Sequence, residues 1–224
     1  PPATVRSGVP QREGTVMRIK ACLTCGILGF FIVAANGCPP PREPVLRLLF
    51  NQGTYGTTAG YSEMDWSDFF SGEQQLGDDF ELTGDNTTIT HVSWWGVYRD
   101  NLPVTDDFMI TISQDNGAGM PDVGGFWEHR IGDLAEREAT SGRVGPGDPG
   151  WSLTIYHYSC EIPDWEMEPG ATYFVSIVND TGKWMWCTNG SAAEGNNFSV
   201  ARESWGDAWG ANGLDLTFQL WGSE

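Results

Sequence analysis

The sequence predicts an all-β protein, a single antiparallel β-sandwich of jelly-roll-like build, and three observations carry that prediction. From residue 45 onward the apolar residues come in short runs separated by Gly, Asp, Asn and Pro, with 29 glycines in the chain and little helix-type periodicity. The clearest runs alternate with period two. Leu214, Leu216, Phe218 and Leu220 share one face while Asp215, Thr217, Gln219 and Trp221 share the other, and Phe108, Ile110 and Ile112 oppose Asp107, Met109 and Thr111 in the same way. All 11 tryptophans lie between Trp66 and Trp221, so the aromatic residues belong to this strand-and-turn body.

Residues 1–16 carry scattered Pro and Arg ahead of Met17 and are read as translated upstream sequence outside the fold. Residues 17–38 have the layout of a secretory signal: the basic start Met17-Arg18-Ile19-Lys20, an apolar run over 21–35, and Gly37-Cys38 as a small-residue end. That run is shorter than the ~20 apolar residues that span a bilayer. Gly26, Gly29 and Gly37, followed at once by prolines, argue against a buried core helix. Ala35-Asn36-Gly37-Cys38 resembles the box at which bacterial lipoproteins are cut and lipidated, although Leu is usual where Ala35 stands and a small residue where Asn36 stands. Lipidation at Cys38 and simple secretion both remain open. In the first case residues 39–44 form a proline-rich spacer from the membrane surface.

Residues 45–224 are then one domain, long enough for a full hydrophobic core. Strands are expected at 45–50, 89–98, 108–112, 151–162, 171–178, 183–188 and 214–221. Asn179-Asp180-Thr181-Gly182 would turn a hairpin between two of them. Residues 130–150, Ala- and Glu-rich and then dense in Gly and Pro, read as a long loop with at most one helical turn. Seven or more strands with turns at this spacing suggest a sandwich, with no repeat and no second domain boundary.

Five cysteines divide as Cys22 and Cys25 inside the leader, Cys38 at its end, and Cys160 and Cys187 in the body. In an oxidising compartment Cys160 and Cys187 are expected to form a disulfide, stabilising the fold by about 3 kcal/mol. The Cys22-x-x-Cys25 spacing does not make a redox or zinc motif, because no partner ligands lie near it. Beyond Cys38 the chain keeps 8 of its 12 Lys and Arg and 29 of its 30 Asp and Glu, a formal balance of −21. Such a surface repels phosphate backbones and anionic headgroups and argues against nucleic-acid binding; cations are its natural small partners.

The body resembles a family. Asp78-Asp79-Phe80, the run Ile89-Thr90-His91-Val92-Ser93-Trp94-Trp95-Gly96, Asp107-Phe108-Met109-Ile110, Gly170-Ala171-Thr172-Tyr173, Ser176-Ile177-Val178-Asn179-Asp180 and the ending over 214–222 follow the order seen in β-sandwich domains of secreted and surface-anchored bacterial proteins. Those domains often accompany PEP-CTERM-type or other sorting signals. The resemblance covers about residues 50 to 222 and implies a jelly-roll-like module without catalysis. Anchoring of this chain, where it occurs, is expected at Cys38.

Motifs for chemistry are sparse. His91, His129 and His157 form no zinc-ligand pattern, and no nucleophile elbow, phosphate-binding loop or dinucleotide fingerprint is present. His91 and His157 fall in strands and read as structural. Carboxylates are plentiful, so a carboxylate-dependent glycoside hydrolase stands as a further alternative, needing two at a suitable separation. Asp78-Asp79 and Asp106-Asp107 each precede a strand; they could ligate Ca²⁺ or cap the turn that enters it. The loop Asp115-Asn116-Gly117-Ala118-Gly119 offers oxygens without an EF-hand's spaced acids.

Tryptophan supplies a binding mechanism, because indole faces stack on the C–H faces of sugar rings while Asp and Asn bond hydroxyls. One of Trp94 and Trp95 should enter the core, and Trp184 and Trp186 should share a face opposite Met185 and Cys187. Trp205 and Trp209, in a Gly-rich polar stretch, and Trp95 are the expected ligand-binding residues. The function expected is a secreted or lipid-anchored extracellular module that binds a glycan or surface matrix without catalysis. The alternative is a purely structural cell-surface module with its tryptophans buried.

Overall fold

The computed structural model describes residues 45–53, 55–61, 74–99, 105–145, 152–181, 184–189, 198–203 and 207–224. The chain divides into two compact units, Pro1–Pro41 and Arg42–Glu224, and every described residue lies in the second. The leader, the Cys38 box and the proline spacer therefore lie outside the described residues, as do Trp66, Trp151 and Trp205.

The described residues contain thirteen strands: β1 (Leu46–Asn51), β2 (Tyr55–Tyr61), β3 (Gln75–Glu81), β4 (Thr88–Tyr98), β5 (Phe108–Asp115), β6 (Pro121–Gly132), β7 (Glu136–Val144), β8 (Leu153–Glu166), β9 (Thr172–Asn179), β10 (Trp184–Asn189), β11 (Ser199–Arg202), β12 (Gly210–Ala211) and β13 (Phe218–Ser223). They form two antiparallel sheets. One has seven strands in the order β1-β13-β4-β10-β2, with β8 on the other edge of β4 and β7 beyond β8; the second runs β12-β11-β3-β9-β5-β6. The chain crosses repeatedly between sheets, which is the jelly-roll-like winding the strand pattern suggests. At 11 residues β4 is long enough for β13 to pair with 91–94 and β10 with 96–98 along one edge, while β8 pairs along the other.

Three sequence expectations are corrected here. Residues 179–182 do not turn a hairpin, because β9 and β10 belong to different sheets. The span 130–150 holds the end of β6 and all of β7. Strand β7 is an edge strand exposed along most of its length, so it shows no apolar alternation to betray it. Asp78 and Asp79 lie within β3, not ahead of it.

An aromatic layer joins the sheets. Phe108 of β5 stands edge-on to Trp94 (5.1 Å), Tyr158 (4.9 Å) and Trp184 (5.2 Å), and Trp94 stacks on Tyr158 at 5.5 Å with 10° between the planes. The chain of rings continues from Trp184 through Trp186 to Phe218 and on to Phe50. Trp186 donates its indole N–H to the Thr217 carbonyl (3.0 Å). Each such pair contributes about 0.5–1.5 kcal/mol beyond the area it buries. Trp94 of β4 and Trp184 and Trp186 of β10 face this core, while Met185 and Cys187 of β10 face a second apolar cluster on the outside of the seven-stranded sheet.

That division bears on the cysteines. The expected Cys160–Cys187 disulfide is not formed, and both thiols are free and buried. Cys160 pairs opposite Val92 and joins the inner core, whereas Cys187 joins the outer cluster. Side chains on opposite faces of one sheet cannot bridge. Burial pushes both thiols up to about 12.

The indole of Trp184 rests against Gly96, where a β-carbon would stand 2.4 Å from it. Gly96→Ala is expected to destabilise the fold by about 1–3 kcal/mol. Gly125→Ala, whose β-carbon would meet only the tip of Asp122 at 3.7 Å, should stay within about 0.5 kcal/mol of the parent. Chemical denaturation of the two variants checks this.

Candidate functional site

The same alternation that sends Trp94 inward sends its neighbours to the outer face of the seven-stranded sheet. Pairing registers arrange them in three transverse rows, about 7 Å apart because each row lies two residues along the strands from the next. The first is Trp221, His91 and Glu161, on β13, β4 and β8. The middle row is Asn51, Gln219, Ser93, Ser159 and Glu136. The third is Trp95, His157 and Glu138, displaced by one strand so that it spans β4, β8 and β7. Aromatic, imidazole and carboxylate therefore recur in the same order on both sides of a floor of short polar side chains.

A cavity of about 560 Å³ opens over the first row and most of the middle one, lined among others by His91, Ser93, Glu136, Glu161, Trp221, Leu46 and Leu134; of the third row only His157 lines it, and Trp95 and Glu138 lie beside it. The Trp221 indole N–H donates to Ser93 Oγ (3.2 Å), which brings the ring over the middle row. Ser93 in turn donates to Gln219 Oε1 (3.3 Å). His91 shares a hydrogen bond between Nδ1 and Thr90 Oγ1 (2.9 Å). The rings of Trp95 and His157 lie 4.7 Å apart. Burial lowers the pKa of His157, opposed by the Glu138 carboxylate, so its imidazole is neutral at neutral pH.

Beyond the third row the face is closed. Val97, Ile155, Leu153, Val144, Met185 and Cys187 form the outer apolar cluster, with Trp95 and Tyr55 packed against it. Tyr55 of β2 reaches Gly142 of β7, where a β-carbon would stand 2.5 Å from its ring. Two strands separated by β10, β4 and β8 thus meet, so the sheet curls at this end and stays open over the polar rows.

Of the expected ligand-binding tryptophans, Trp95 lies at the junction of these two regions, half-buried. Trp209 lies on the opposite outer face, that of the six-stranded sheet, where its ring covers the Arg202 guanidinium at 4.6 Å. Arg202 Nε donates to Gln75 Oε1 (2.7 Å), and Gln75 Nε2 to Ser176 Oγ (2.9 Å). A smaller cavity of about 220 Å³ adjoins them. Trp95 and Trp209 therefore do not make one platform, and Trp205 is outside the described residues. Trp221 was legible in the alternation of residues 214–221, which set it opposite the leucines. Its strand pairing with His91 was not.

The four acids suggested for Ca²⁺ do not gather into one site. Asp78 pairs opposite Val175 and the Asp107–Phe108 segment meets Asn179, four residues or about 13 Å further along β9. Asp106 accepts from Tyr98 Oη, Asn179 Nδ2 (3.3 Å) and Arg137 Nη1 (2.8 Å). Asp107 and Asp180 both accept from Arg130. Asp78 is fully buried: Oδ2 accepts from the Leu216 amide (2.5 Å), Oδ1 from the Asp79 amide (2.9 Å), and Gln52 Nε2 lies 3.5 Å from both Asp78 and Asp215. In the glycine loop, Asp115 Oδ1 accepts from the amides of Gly117, Gly119 and Met120 and so closes the β5–β6 turn. No group of three His, Cys, Asp or Glu side chains placed to hold a metal occurs among the described residues.

Comparison with known protein families, curated proteins and solved structures finds no match to this chain.

Burial raises the Asp78 pKa well above the ordinary value, with Asp79 and Asp215 adding to the rise. A carboxyl whose folded pKa is raised binds its proton more tightly in the native state. Its contribution to stability is fully present below the unfolded pKa, near 3.9, and is lost as pH rises through the folded value. Asp78→Asn is expected to flatten the fall in unfolding free energy above about pH 4, as measured by urea denaturation at a series of pH values.

Proposed function

We propose that this chain is an extracellular binding module whose ligand is a glycan or glycan-bearing surface matrix, held in the groove on the outer face of the seven-stranded sheet. The observation that carries the reading is the half-buried Trp221 indole over a floor of Ser93, Ser159 and Gln219 in the cavity, with Trp95 beside it on His157. Indole faces supply stacking on the apolar faces of pyranose rings. The hydroxyls, the Gln219 amide and the two imidazoles supply donors and acceptors for ring hydroxyls. A cavity of about 560 Å³ is within the range that encloses small ligands. The leader over residues 17–38 supports export, with release or retention through an acylated Cys38 as the two outcomes. Ca²⁺ enters this reading only as an optional partner of the acidic surface.

A second reading draws on Glu136 and Glu161. They are diagonal neighbours across β7 and β8, an arrangement with Cα atoms about 7–8 Å apart. Inverting glycosidases hold their two carboxyls at about 6.5–9.5 Å, a separation that two glutamate side chains on such a diagonal can span, so this pair is the one to test for hydrolysis.

The deciding experiment is a polysaccharide panel with and without Ca²⁺, read by affinity electrophoresis and by release of reducing ends. Retention of a glycan by the parent, reduced about tenfold or more by Trp221→Ala and by Trp95→Ala and unchanged by Trp209→Ala, is the expected result. Reducing ends that appear with the parent and vanish with Glu136→Gln or Glu161→Gln would make the site a hydrolase. Failure to retain any glycan would leave the module a structural one.

A further inference from the structure

The charge on the groove points to a narrower ligand class. We propose that the site selects glycans bearing free amino groups, oligomers of an unacetylated hexosamine, over neutral and acidic ones. The inference rests on the glycan reading above and deepens it.

The two flanks of the groove differ in chemistry. Trp221 stands at one end of its row and exposed carboxylates stand at the other side, Glu161 and Glu136 in the cavity lining; Trp95 and Glu138 repeat the same order in the adjoining row beside it. No Lys or Arg occupies any position of the three rows. Arg137, between Glu136 and Glu138 in sequence, could have neutralised both. Alternation turns it to the inner face, where its guanidinium is held by Asp106 at 2.8 Å and lies over the Tyr156 ring at 5.4 Å. Arg143, further along β7, donates to Thr154 Oγ1 (2.8 Å). None of the three glutamates joins an ion pair among the described residues.

The ligand such a groove fits has flat apolar faces for one flank and positive donors for the other. An unacetylated hexosamine carries both on a single ring. Its ammonium can pair with the carboxylates, and the indole faces also attract cations. Acetylation removes that charge, and a uronate or sulfate would set like charge against like. The neutral His157 adds no positive charge to the floor, and the chain's net charge of −18 favours approach of a cationic ligand.

Net charge alone could attract a polycation, so the test uses short oligomers and point variants. Binding of β-linked glucosamine oligomers, their N-acetylated counterparts and oligouronates is measured by calorimetry at neutral pH and low salt. The amino form should bind roughly tenfold tighter than the acetylated form, the combined effect of several exposed ion pairs, and the uronate should not bind. The preference should shrink in high salt. The triple variant Glu136→Gln, Glu138→Gln, Glu161→Gln should lose the preference, binding the amino and acetylated oligomers within about twofold of each other. Equal affinity for amino and acetylated forms, with Trp221→Ala still weakening both, overturns the charge selection and leaves the glycan reading standing. Binding of the amino form that Trp221→Ala leaves unchanged also overturns it, because the attraction is then that of net charge. Silence from all three oligomers and from the neutral polysaccharides overturns both readings.

Discussion

The packing of Trp184 against Gly96 is the contact from which most of this architecture follows. It requires β10 to lie beside the second half of β4 with Trp184 and Trp186 facing inward, and that register places Trp94 and Phe108 edge-on in the same layer. Once one residue of a strand faces in, every second residue does, and the rest face out. A one-residue slip of β10 would carry Trp184 and Trp186 out of the core to the outer face of the sheet. Aromatic burial between the sheets therefore sets the outer face as firmly as the inner one.

The outer face divides into two parts for a reason that lies in the sheet edges. Where β2 curls round to meet β7, through Tyr55 against Gly142, apolar residues are shielded from both sides and form a small second core. Where β13 and β1 replace β10 and β2 beside β4, no such closure occurs, and the residues facing out are Ser93, Gln219, His91 and Ser159. Trp95 belongs to both parts, packed against the outer cluster on one side and against His157 on the other. The groove is thus built on strands anchored by the core, which holds its side chains more rigidly than loops would.

The acids have separate fates that position decides. Asp107 and Asp180 tie Arg130 on the surface, where such pairs add little to stability. Asp106 holds Arg137, Tyr98 and Asn179 at the junction of the sheets and so removes a cation from the groove side of β7. Asp78 is sealed among backbone amides and raised in pKa, while Glu136, Glu138 and Glu161 remain in water on the opposite side of the rows from the two indoles. The acidic surplus is therefore one property of the sequence with several structural consequences, and only the last group faces a candidate ligand.

By itself the sequence determined the all-β class, the strands with clean alternation, the split between Trp94 and Trp95, and the common face of Trp184 and Trp186. Each depends only on the period of two within a strand, a local property. It also set Trp221 opposite the leucines of its strand. What it could not decide were features in which two distant segments meet. Cys160 and Cys187 looked like a pair by count, yet strand register puts them on opposite faces. Residues 179–182 looked like a hairpin turn, yet the chain passes there from one sheet to the other. Strand β7 looked like a loop, because an exposed edge strand has no apolar face to show. The alignment of Trp221, His91 and Glu161, and of Trp95, His157 and Glu138, into parallel rows arose from pairing between strands far apart in the chain. Such pairing is fixed by burial of the shared core, so only the tertiary structure could reveal it.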